Sequence, residues 1–145
     1  DGGPDKGRVD LQERIVGILE TIYTKTEHVD VKMTTLNCIY NLLQHYGQGL
    51  DASAWRIVLS VLHAAALGNK SEITSGFRSV QAICSDFMNQ FDQDRLHQLI
   101  TVVGCYSKQP TLEDKVNINL SAVQLLWSLT DYCSTQPDAV ESSHW

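Results

Sequence analysis

The feature that most constrains this chain is an internal repeat. One pattern of apolar side chains, spaced i, i+3 and i+4, occurs near the ends of three helix-like runs. Its members are Leu36, Ile39 and Tyr40, then Val80, Ile83 and Cys84, then Val123, Leu126 and Trp127. The pattern recurs after 44 and then after 43 residues. A period of this length is typical of arrays in which one pair of helices stacks on the next.

The intervening runs keep the same period. Three sets of apolar residues recur at matching positions: Leu11, Trp55 and Leu99; Ile15, Leu59 and Val103; and Ile18, Leu62 and Tyr106. The repeat predicts an all-α fold, a HEAT- or armadillo-like α-solenoid segment of three stacked helical hairpins with about six helices. Arrays of this kind usually present surfaces to partners, so the fold favours a binding function over catalysis.

Six helices are predicted from the apolar periodicity and the flanking turn residues. They cover residues 9–25, 31–46, 53–67, 71–89, 93–107 and 116–134. Pro4, Pro110 and Pro137 lie outside these runs, because proline lacks the N–H that a helix interior requires. The chain is thereby divided into a disordered or cloning-derived start at residues 1–8, a repeat domain at 9–134 and a linker tail at 135–145.

Polar residues and glycines mark several predicted helix ends. Asp10 and Glu13 have the spacing of a capping box at the start of the first helix. Asp30 and Asp92 precede the second and fifth helices. Gly47 is expected to end the second helix in the left-handed conformation.

The buried faces are predicted from the same periodicity. The stripe expected to be buried on the first helix consists of Leu11, Ile15, Ile18, Leu19 and Ile22. Gly17, Gly76 and Gly104 lie inside helices, where glycine costs about 1 kcal/mol relative to alanine, so they are expected at close helix crossings. Neither end carries a polar capping repeat, so the pattern is that of a piece of a longer array, or of one with partner-covered ends.

Charge argues against nucleic acid as a partner. The net charge is −6, and the 11 basic residues are scattered rather than clustered as phosphate binding requires. No apolar stretch reaches the roughly 18–20 residues needed to span a bilayer. Cys38, Cys84, Cys105 and Cys133 form no C-x-x-C pair. They are expected to be free, small apolar residues of a reducing compartment rather than disulfides or zinc ligands.

An enzyme is the alternative from another functional class, and the sequence does not favour it. The histidines are His28, His45, His63, His97 and His144, and none has the spacing of a zinc-binding helix. Gly47 and Gly49 lack the rest of a phosphate-binding loop. Catalysis would need unrelated side chains to converge in space. No enzymatic activity, catalytic residue, cofactor or metal ligand is therefore predicted.

Several motifs carry a family resemblance. The run VNINLSAVQLLW at residues 116–127 closes in Asp131 and Tyr132, and is preceded by AWRIVL at 54–59, GFRSVQ at 76–81 and SDF at 85–87. These motifs resemble the Mon-two family, large Golgi scaffolds related to the ARF exchange factors, whose signature is N-I-S-L-T-A-x-x-L-L-W followed by D-[YF]. Asn119 replaces the usual serine. The likeness is sharp from about Trp55 to Tyr132 and faint before Leu36.

The resemblance implies a cytosolic protein that associates peripherally with the trans-Golgi network and endosomes as part of a trafficking scaffold. It implies Dopey-family subunits, phospholipid flippases and ARF-like GTPases as partners. It also implies no nucleotide exchange, because the exchange-factor relatives use a separate catalytic domain with a Pro-Gly-Glu-type loop that this chain lacks. Membrane association is expected to be indirect, and liposome co-sedimentation is expected to show weak or no binding.

Two features of the signature have structural interpretations. Asn117 or Asn119 is suited to cap the sixth helix. Asp86 and Asp131 each precede an aromatic residue. Their carboxylates are expected to be solvated or to bond backbone groups at a helix end. The alternative is that they bind basic groups of a partner.

The working hypothesis is a protein-binding segment whose partner docks on a groove formed by the second, fourth and sixth helices. These helices occupy equivalent positions in successive repeats and so line one face of the stack. The candidate contact residues are Arg78, Gln81, Asp86, Gln124 and Asp131. A generic HEAT-repeat adaptor of another pathway, such as nuclear transport, is the alternative.

Trp127 is expected to fill the seam between the second and third hairpins, with a partner pocket as the alternative. If it lies in the core, Trp127→Ala should lower the free energy of unfolding by about 3–5 kcal/mol. An unchanged melting temperature would contradict the core assignment, and a largely exposed indole would favour a partner interface.

Overall fold

The computed structural model describes residues 3–109 and 118–135, with side chains from residue 11 onward. The six helices in these residues are α1 (Gly3–Lys25), α2 (Val29–Tyr46), α3 (Ala52–Ala66), α4 (Lys70–Asp86), α5 (Gln93–Ser107) and α6 (Ile118–Thr135). Short 3₁₀ turns at Gly47–Gly49 and Met88–Gln90 follow α2 and α4. This part of the chain contains no strand, so the predicted all-α class is confirmed.

The helices form three stacked hairpins, α1 with α2, α3 with α4, and α5 with α6. The odd-numbered helices pack side by side in the order α1, α3, α5, and the even-numbered helices in the order α2, α4, α6. Each repeat therefore packs on its sequence neighbours, as in a solenoid. The predicted architecture of three helical hairpins is confirmed.

Three helices begin at a side-chain cap. The carboxylates of Asp51 and Asp92 accept bonds from the Ala54 and Arg95 N–H groups at 2.9 Å. Asn69 Oδ1 accepts from the Glu72 N–H at the same distance. Each bond satisfies one of the N–H groups that have no partner within the helix. Asp92 was predicted as a cap and the bounds of α5 agree with the prediction.

The other two predicted caps are wrong. α1 begins at Gly3, so residue 10 lies inside the helix and the proposed capping box has no helix start to cap. α2 begins at Val29, which places Asp30 in its first turn, where a carboxylate favours the positive end of the helix dipole. The segment boundaries at residues 8 and 135 stay predictions, and the tail at 136–145 lies outside the described residues.

Asn119 caps a different helix from the one expected. It lies inside α6, and its side-chain amide donates to the Ser107 carbonyl at 3.1 Å and to the Gln109 carbonyl. It therefore satisfies carbonyls at the end of α5 and ties α6 to the preceding helix. Asn117, the other predicted cap, lies outside the described residues, as do Val116 and Pro110.

Gly47 does not adopt the left-handed conformation. Its φ of −56° and ψ of −35° are right-handed, and it opens a 3₁₀ turn. A Cβ at this position would collide with the aromatic ring of Phe87, which packs over the backbone. Close approach of a neighbouring repeat, rather than a positive φ, therefore requires glycine here.

The predicted apolar spine is buried through the middle of the array. Residues at matching repeat positions, Leu36, Ile39, Val80, Ile83, Leu59, Leu62, Leu99 and Val103, belong to one continuous core. Trp55 is its largest member, 2% exposed, with its ring centroid 5.5 Å from that of Phe87 and 4.9 Å from that of Phe91. Trp55 thus packs against the two ends of the connection between α4 and α5.

Polar bonds also cross between repeats. Tyr23 Oη donates to Glu72 Oε1 at 2.6 Å, and Lys32 Nζ lies 3.9 Å from the same oxygen. Tyr106 Oη donates to the Leu62 carbonyl at 2.7 Å. These bonds join α1 and α2 to α4, and α5 to α3, and leave the buried hydroxyls and the Glu72 carboxylate with partners.

The stripe predicted for α1 is right for Leu19, which is partly buried against the core, and wrong for its other four members. Leu11, Ile15, Ile18 and Ile22 are exposed, whereas Val16 and Tyr23 are buried. Among the described helices α1 packs mainly on α3 and α2, and its Tyr23 also bonds Glu72 of α4, so the flank facing these helices is buried and the second apolar stripe is left open. The sequence periodicity predicts both apolar stripes but does not indicate which of them is buried.

Trp127 is not a core residue. Its side chain is 78% exposed and that of Val123 is 51% exposed, while Ala122 and Leu129 supply the buried face of α6. Within the described residues α6 packs on α5 and α4 and has no helix on its other flank. The predicted seam role of Trp127 is therefore wrong, and Trp127→Ala is not expected to cause a large loss of stability.

One of the three helix glycines lies at a close crossing. A Cβ on Gly76 would collide with the Tyr106 hydroxyl and the Ala65 side chain. Gly17 and Gly104 have open space where a Cβ would be. The close-crossing prediction is confirmed for Gly76 and wrong for the other two.

The cysteines are free in the structure. Cys84, Cys105 and Cys133 are partly buried and pack against the core, whereas Cys38 is exposed. Burial raises the pKa of the Cys84 thiol to about 12, so it stays protonated at neutral pH. A protonated thiol is a poor nucleophile and a poor metal ligand, which agrees with a packing role.

The tryptophans provide a direct test of the revised core. Trp55→Ala should lower the free energy of unfolding by about 3–5 kcal/mol, because it empties a buried site. Trp127→Ala should change it by less than about 0.5 kcal/mol, because its side chain is exposed. Urea unfolding followed by circular dichroism measures both. Equal effects of the two substitutions would contradict the burial described above.

The glycines provide a second matched pair. Gly76→Ala should destabilise the protein by about 1–3 kcal/mol, because the added methyl group meets Tyr106 and Ala65. Gly17→Ala should stabilise it by up to about 1 kcal/mol, because alanine favours the helix and meets no neighbour. The same unfolding measurement applies, and a stabilising Gly76→Ala would rule out a tight crossing.

Candidate protein-binding groove

A groove crosses the exposed face of α4 and has α2 and α6 on its two sides. Its volume is about 780 Å³. Its lining consists of Met33 and Asn37 from α2, Ile118 and Ser121 from α6, and Lys70, Ser71, Thr74, Ser75, Phe77, Arg78 and Gln81 from α4. The even-numbered helices of three successive repeats thus meet at one surface, as the repeat period predicts.

Arg78 is held in place at this groove. Its guanidinium carbon lies 3.8 Å from the centre of the Tyr40 ring, and Nη2 donates to Asn37 Oδ1 at 3.2 Å. Stacking on an aromatic ring orients a guanidinium group without using its N–H donors. Because the bond to Asn37 uses one donor of five, Arg78 retains donors that suit a carboxylate.

The groove differs in charge from the whole chain. Among the residues that the structure describes, its lining includes the basic residues Lys70 and Arg78 and no aspartate or glutamate, although the net charge of the chain is −6. Its apolar part comes from Met33, Phe77 and Ile118. The Ser75 hydroxyl is buried and has no hydrogen-bond partner among the residues that the structure describes. This combination fits a peptide with an acidic group and an apolar side chain.

The structure brings together two of the five predicted contact residues. Arg78 and Gln81 both line the groove. Asp86 lies at the end of α4 beside a separate cavity of about 410 Å³ that is also lined by Gln44 and His45. Gln124 and Asp131 are exposed on α6 outside the lining of both cavities.

The sequence interpretation missed Asn37 and Tyr40, which position Arg78. A signal for them exists, because equivalent positions in α2 and α4 lie side by side and Asn37 is 41 residues before Arg78, close to one repeat period. The ring stacking itself depends on side-chain rotamers, which the period does not specify.

The buried titratable groups belong to the scaffold rather than to a reaction site. The pKa of Tyr23 is raised, first by burial and then by its hydrogen bond to the Glu72 carboxylate. The pKa of Tyr106 is raised mainly by burial. Both phenols therefore stay protonated and act as hydrogen-bond donors between repeats. Within the part of the chain that the structure describes, no three His, Cys, Asp or Glu side chains are grouped to hold a metal ion.

Comparisons with known proteins give relatives along most of the chain. A family model described as Mon2/Sec7/BIG1-like, HDS matches residues 5–82. Monensin-resistant homolog 2 of Caenorhabditis elegans is 28% identical over 134 residues, which cover 89% of this chain and 8% of that protein. The Protein MON2 homolog of Homo sapiens is 27% identical over 115 residues, 79% of this chain and 6% of its own length.

A third relative extends the match further. The Protein MON2 homolog of Drosophila melanogaster is 23% identical over 141 residues, which cover 97% of this chain and 8% of that protein. The similarity thus includes the region before Leu36, where the motifs gave only a faint likeness. The chain spans 6–8% of the length of these relatives. No solved structure matches the chain.

Proposed function

This chain belongs to the Mon2/Sec7/BIG1-like family, as the motifs at residues 54–132 predicted, and on that premise we propose that it is a non-catalytic, protein-binding segment of a large membrane-trafficking scaffold. Its site of action is the cytoplasmic side of the trans-Golgi network and endosomes. This role and this location are the ones that the family resemblance implies. The family match also weighs against a generic repeat adaptor of another pathway.

The groove between α2, α4 and α6 is the proposed docking surface. The observation that carries this assignment is the position of Arg78, which lines the groove while it stacks on Tyr40 and bonds Asn37. A flexible arginine loses side-chain entropy on binding, whereas one already held in place loses less. A preorganised guanidinium group is therefore suited to bind a partner carboxylate.

The apolar part of the groove supplies the second contact. Met33, Phe77 and Ile118 line it, one from each even-numbered helix. An apolar side chain of the partner would contact these residues while an acidic side chain pairs with Arg78. Dopey-family subunits, phospholipid flippases and ARF-like GTPases are the partner classes that the family suggests. Association with the membrane is proposed to pass through such partners, and none of the described helices is long and apolar enough to cross a bilayer.

Charge reversal tests the groove. In the full-length protein, Arg78→Glu should weaken the capture of at least one partner tenfold or more, equivalent to about 1.4 kcal/mol, because it replaces the partner of a carboxylate with a like charge. Co-precipitation with quantitative mass spectrometry measures the loss. Arg56→Glu is the matched control, since Arg56 is exposed on α3, outside the groove lining.

Two further variants define the extent of the surface. Asp86→Lys and Asp131→Lys change exposed carboxylates that lie outside the groove lining. They should leave the partner lost by Arg78→Glu bound. If Arg78→Glu retains every partner at the level of the Arg56→Glu control, this groove is not the docking surface.

A further inference from the structure

Burial aligns the even-numbered helices with one another. The buried positions of α2 and α4 correspond at an offset of 44 residues, and those of α4 and α6 at an offset of 42, one fewer than the sequence period predicted. The matched pairs are Leu36 with Val80, Ile39 with Ile83, Val80 with Ala122, and Phe87 with Leu129. The same offsets identify the exposed positions that are equivalent in the three repeats.

One row of side chains is exposed on each of these helices. It comprises Thr34, Asn37 and Asn41 on α2, Arg78, Gln81 and Ser85 on α4, and Leu120, Val123 and Trp127 on α6. The spacing of i, i+3 and i+7 places each set on one helix face. The rows of α2 and α4 stay exposed although α4 packs on α2 and α6 packs on α4. Stacking of the following repeat therefore does not bury this row.

The row changes from polar to apolar at α6. On α2 and α4 its side chains are hydroxyls, amides and the Arg78 guanidinium, whereas the leucine, valine and tryptophan of α6 are 55%, 51% and 78% exposed. Repeat packing does not require apolar side chains there, because the equivalent positions of α2 and α4 are polar. Gln124 and Asp131, each four residues beyond a member of the row, border it. Exposed apolar patches with a polar border mark interaction sites.

The charges near the row favour a protein over a lipid surface as the occupant. α6 carries no lysine or arginine, and Asp131 is its one charged residue. Binding to an anionic membrane surface requires basic side chains beside the apolar ones. The row therefore suits the apolar face of a protein segment.

The neighbouring helix adds a cation within reach of the same occupant. Arg78 on α4 is the equivalent of Leu120 on α6, and the two helices pack on each other. The axes of packed helices lie about 8–10 Å apart, and a helix with its side chains is about 10–12 Å wide. One helix lying on the α6 row therefore also reaches the side of α4 that carries Arg78.

We propose that Leu120, Val123 and Trp127 form an apolar extension of the docking groove, and that the occupant is an amphipathic helix of a partner protein. This inference rests on the proposed function, because it assigns the acidic side of that helix to Arg78. The helix presents apolar side chains at i, i+3 or i+4, and i+7 to the α6 row, the pattern of helices that bind apolar surfaces. Trp127, the largest and most exposed member, is the principal contact.

Photo-crosslinking in the full-length protein tests the occupant. Trp127 is replaced by benzoyl-phenylalanine, cells are irradiated, and the crosslinked peptides are identified by mass spectrometry. The expected product joins position 127 to a partner protein, at a segment with apolar residues at helical spacing and an acidic residue beside them. Leu67, which is 67% exposed at the end of α3, carries the same group as a control and should not give this product.

Other occupants give distinguishable products. A crosslink to the parent chain, whether to a following hairpin or to residues 110–117 or 136–145, would overturn the proposal. So would a crosslink to a second copy, to lipid, or to a partner segment without an apolar helical face. A yield at position 127 no higher than at the Leu67 control would overturn it as well.

A labelled synthetic copy of the crosslinked peptide gives a quantitative readout. Trp127→Ala in the full-length protein should weaken binding of this peptide at least tenfold, because truncation removes the largest apolar contact. Trp127→Phe should lose less, since it keeps an aromatic ring. Leu67→Ala, the matched control for an exposed apolar side chain, should bind as the unmodified protein does. Fluorescence anisotropy measures all three, and equal affinities of Trp127→Ala and Leu67→Ala would overturn the proposal.

The same peptide separates this inference from the proposed function. If Arg78→Glu weakens binding and Trp127→Ala does not, the groove is the docking surface and the α6 row is not part of it. If Trp127→Ala weakens binding and Arg78→Glu does not, the assignment of the groove fails, and the shared surface fails with it. Loss of affinity in both variants is the expected result.

Discussion

The structure depends on the burial of apolar stripes between helices at equivalent positions of adjacent repeats. α3 is the clearest case, because it packs on α1, α4 and α5, and its residues Trp55, Leu59 and Leu62 are buried. In such an array each helix is stabilised mainly by its nearest neighbours, so the stability of one repeat depends on the next. The polar bonds of Tyr23 to Glu72 and of Tyr106 to Leu62 cross the same interfaces. These directional bonds specify the alignment of neighbouring helices more closely than apolar contacts do.

The same stacking creates the candidate binding surface. Since α2, α4 and α6 lie side by side, residues about one period apart in sequence become neighbours, and Arg78 meets Asn37 and Tyr40. Packed helices position the described side chains of the groove. If a partner docks there, the basic and partly apolar lining among the described residues would give selectivity through charge as well as shape.

Sequence periodicity predicted the middle of the array well and its ends poorly. The predicted stripe positions Leu36 and Ile39 of α2, Leu59 and Leu62 of α3, Val80 and Ile83 of α4, and Leu99 and Val103 of α5 are buried. α1 and α6 have fewer packed neighbours than α3, α4 and α5, and the period alone chose a mostly exposed stripe in both, including Trp127. Gly47 and Asn119 were misassigned because their roles come from Phe87 and from the end of α5, contacts distant in sequence. For the groove, helical spacing placed Arg78 and Gln81 on one face of α4, whereas the stacking of Arg78 on Tyr40 depends on rotamers.

The central physical claim is that apolar stripes at equivalent positions of adjacent repeats are buried against one another, with α3 at the centre. Native-state hydrogen exchange of the protein and of Trp55→Ala tests this claim most directly. The expected result is that α3 exchanges most slowly among the described helices, and that Trp55→Ala raises exchange in α1, α4 and α5 as well as in α3. Exchange that rises in α3 alone, with the neighbouring helices unchanged, would contradict it.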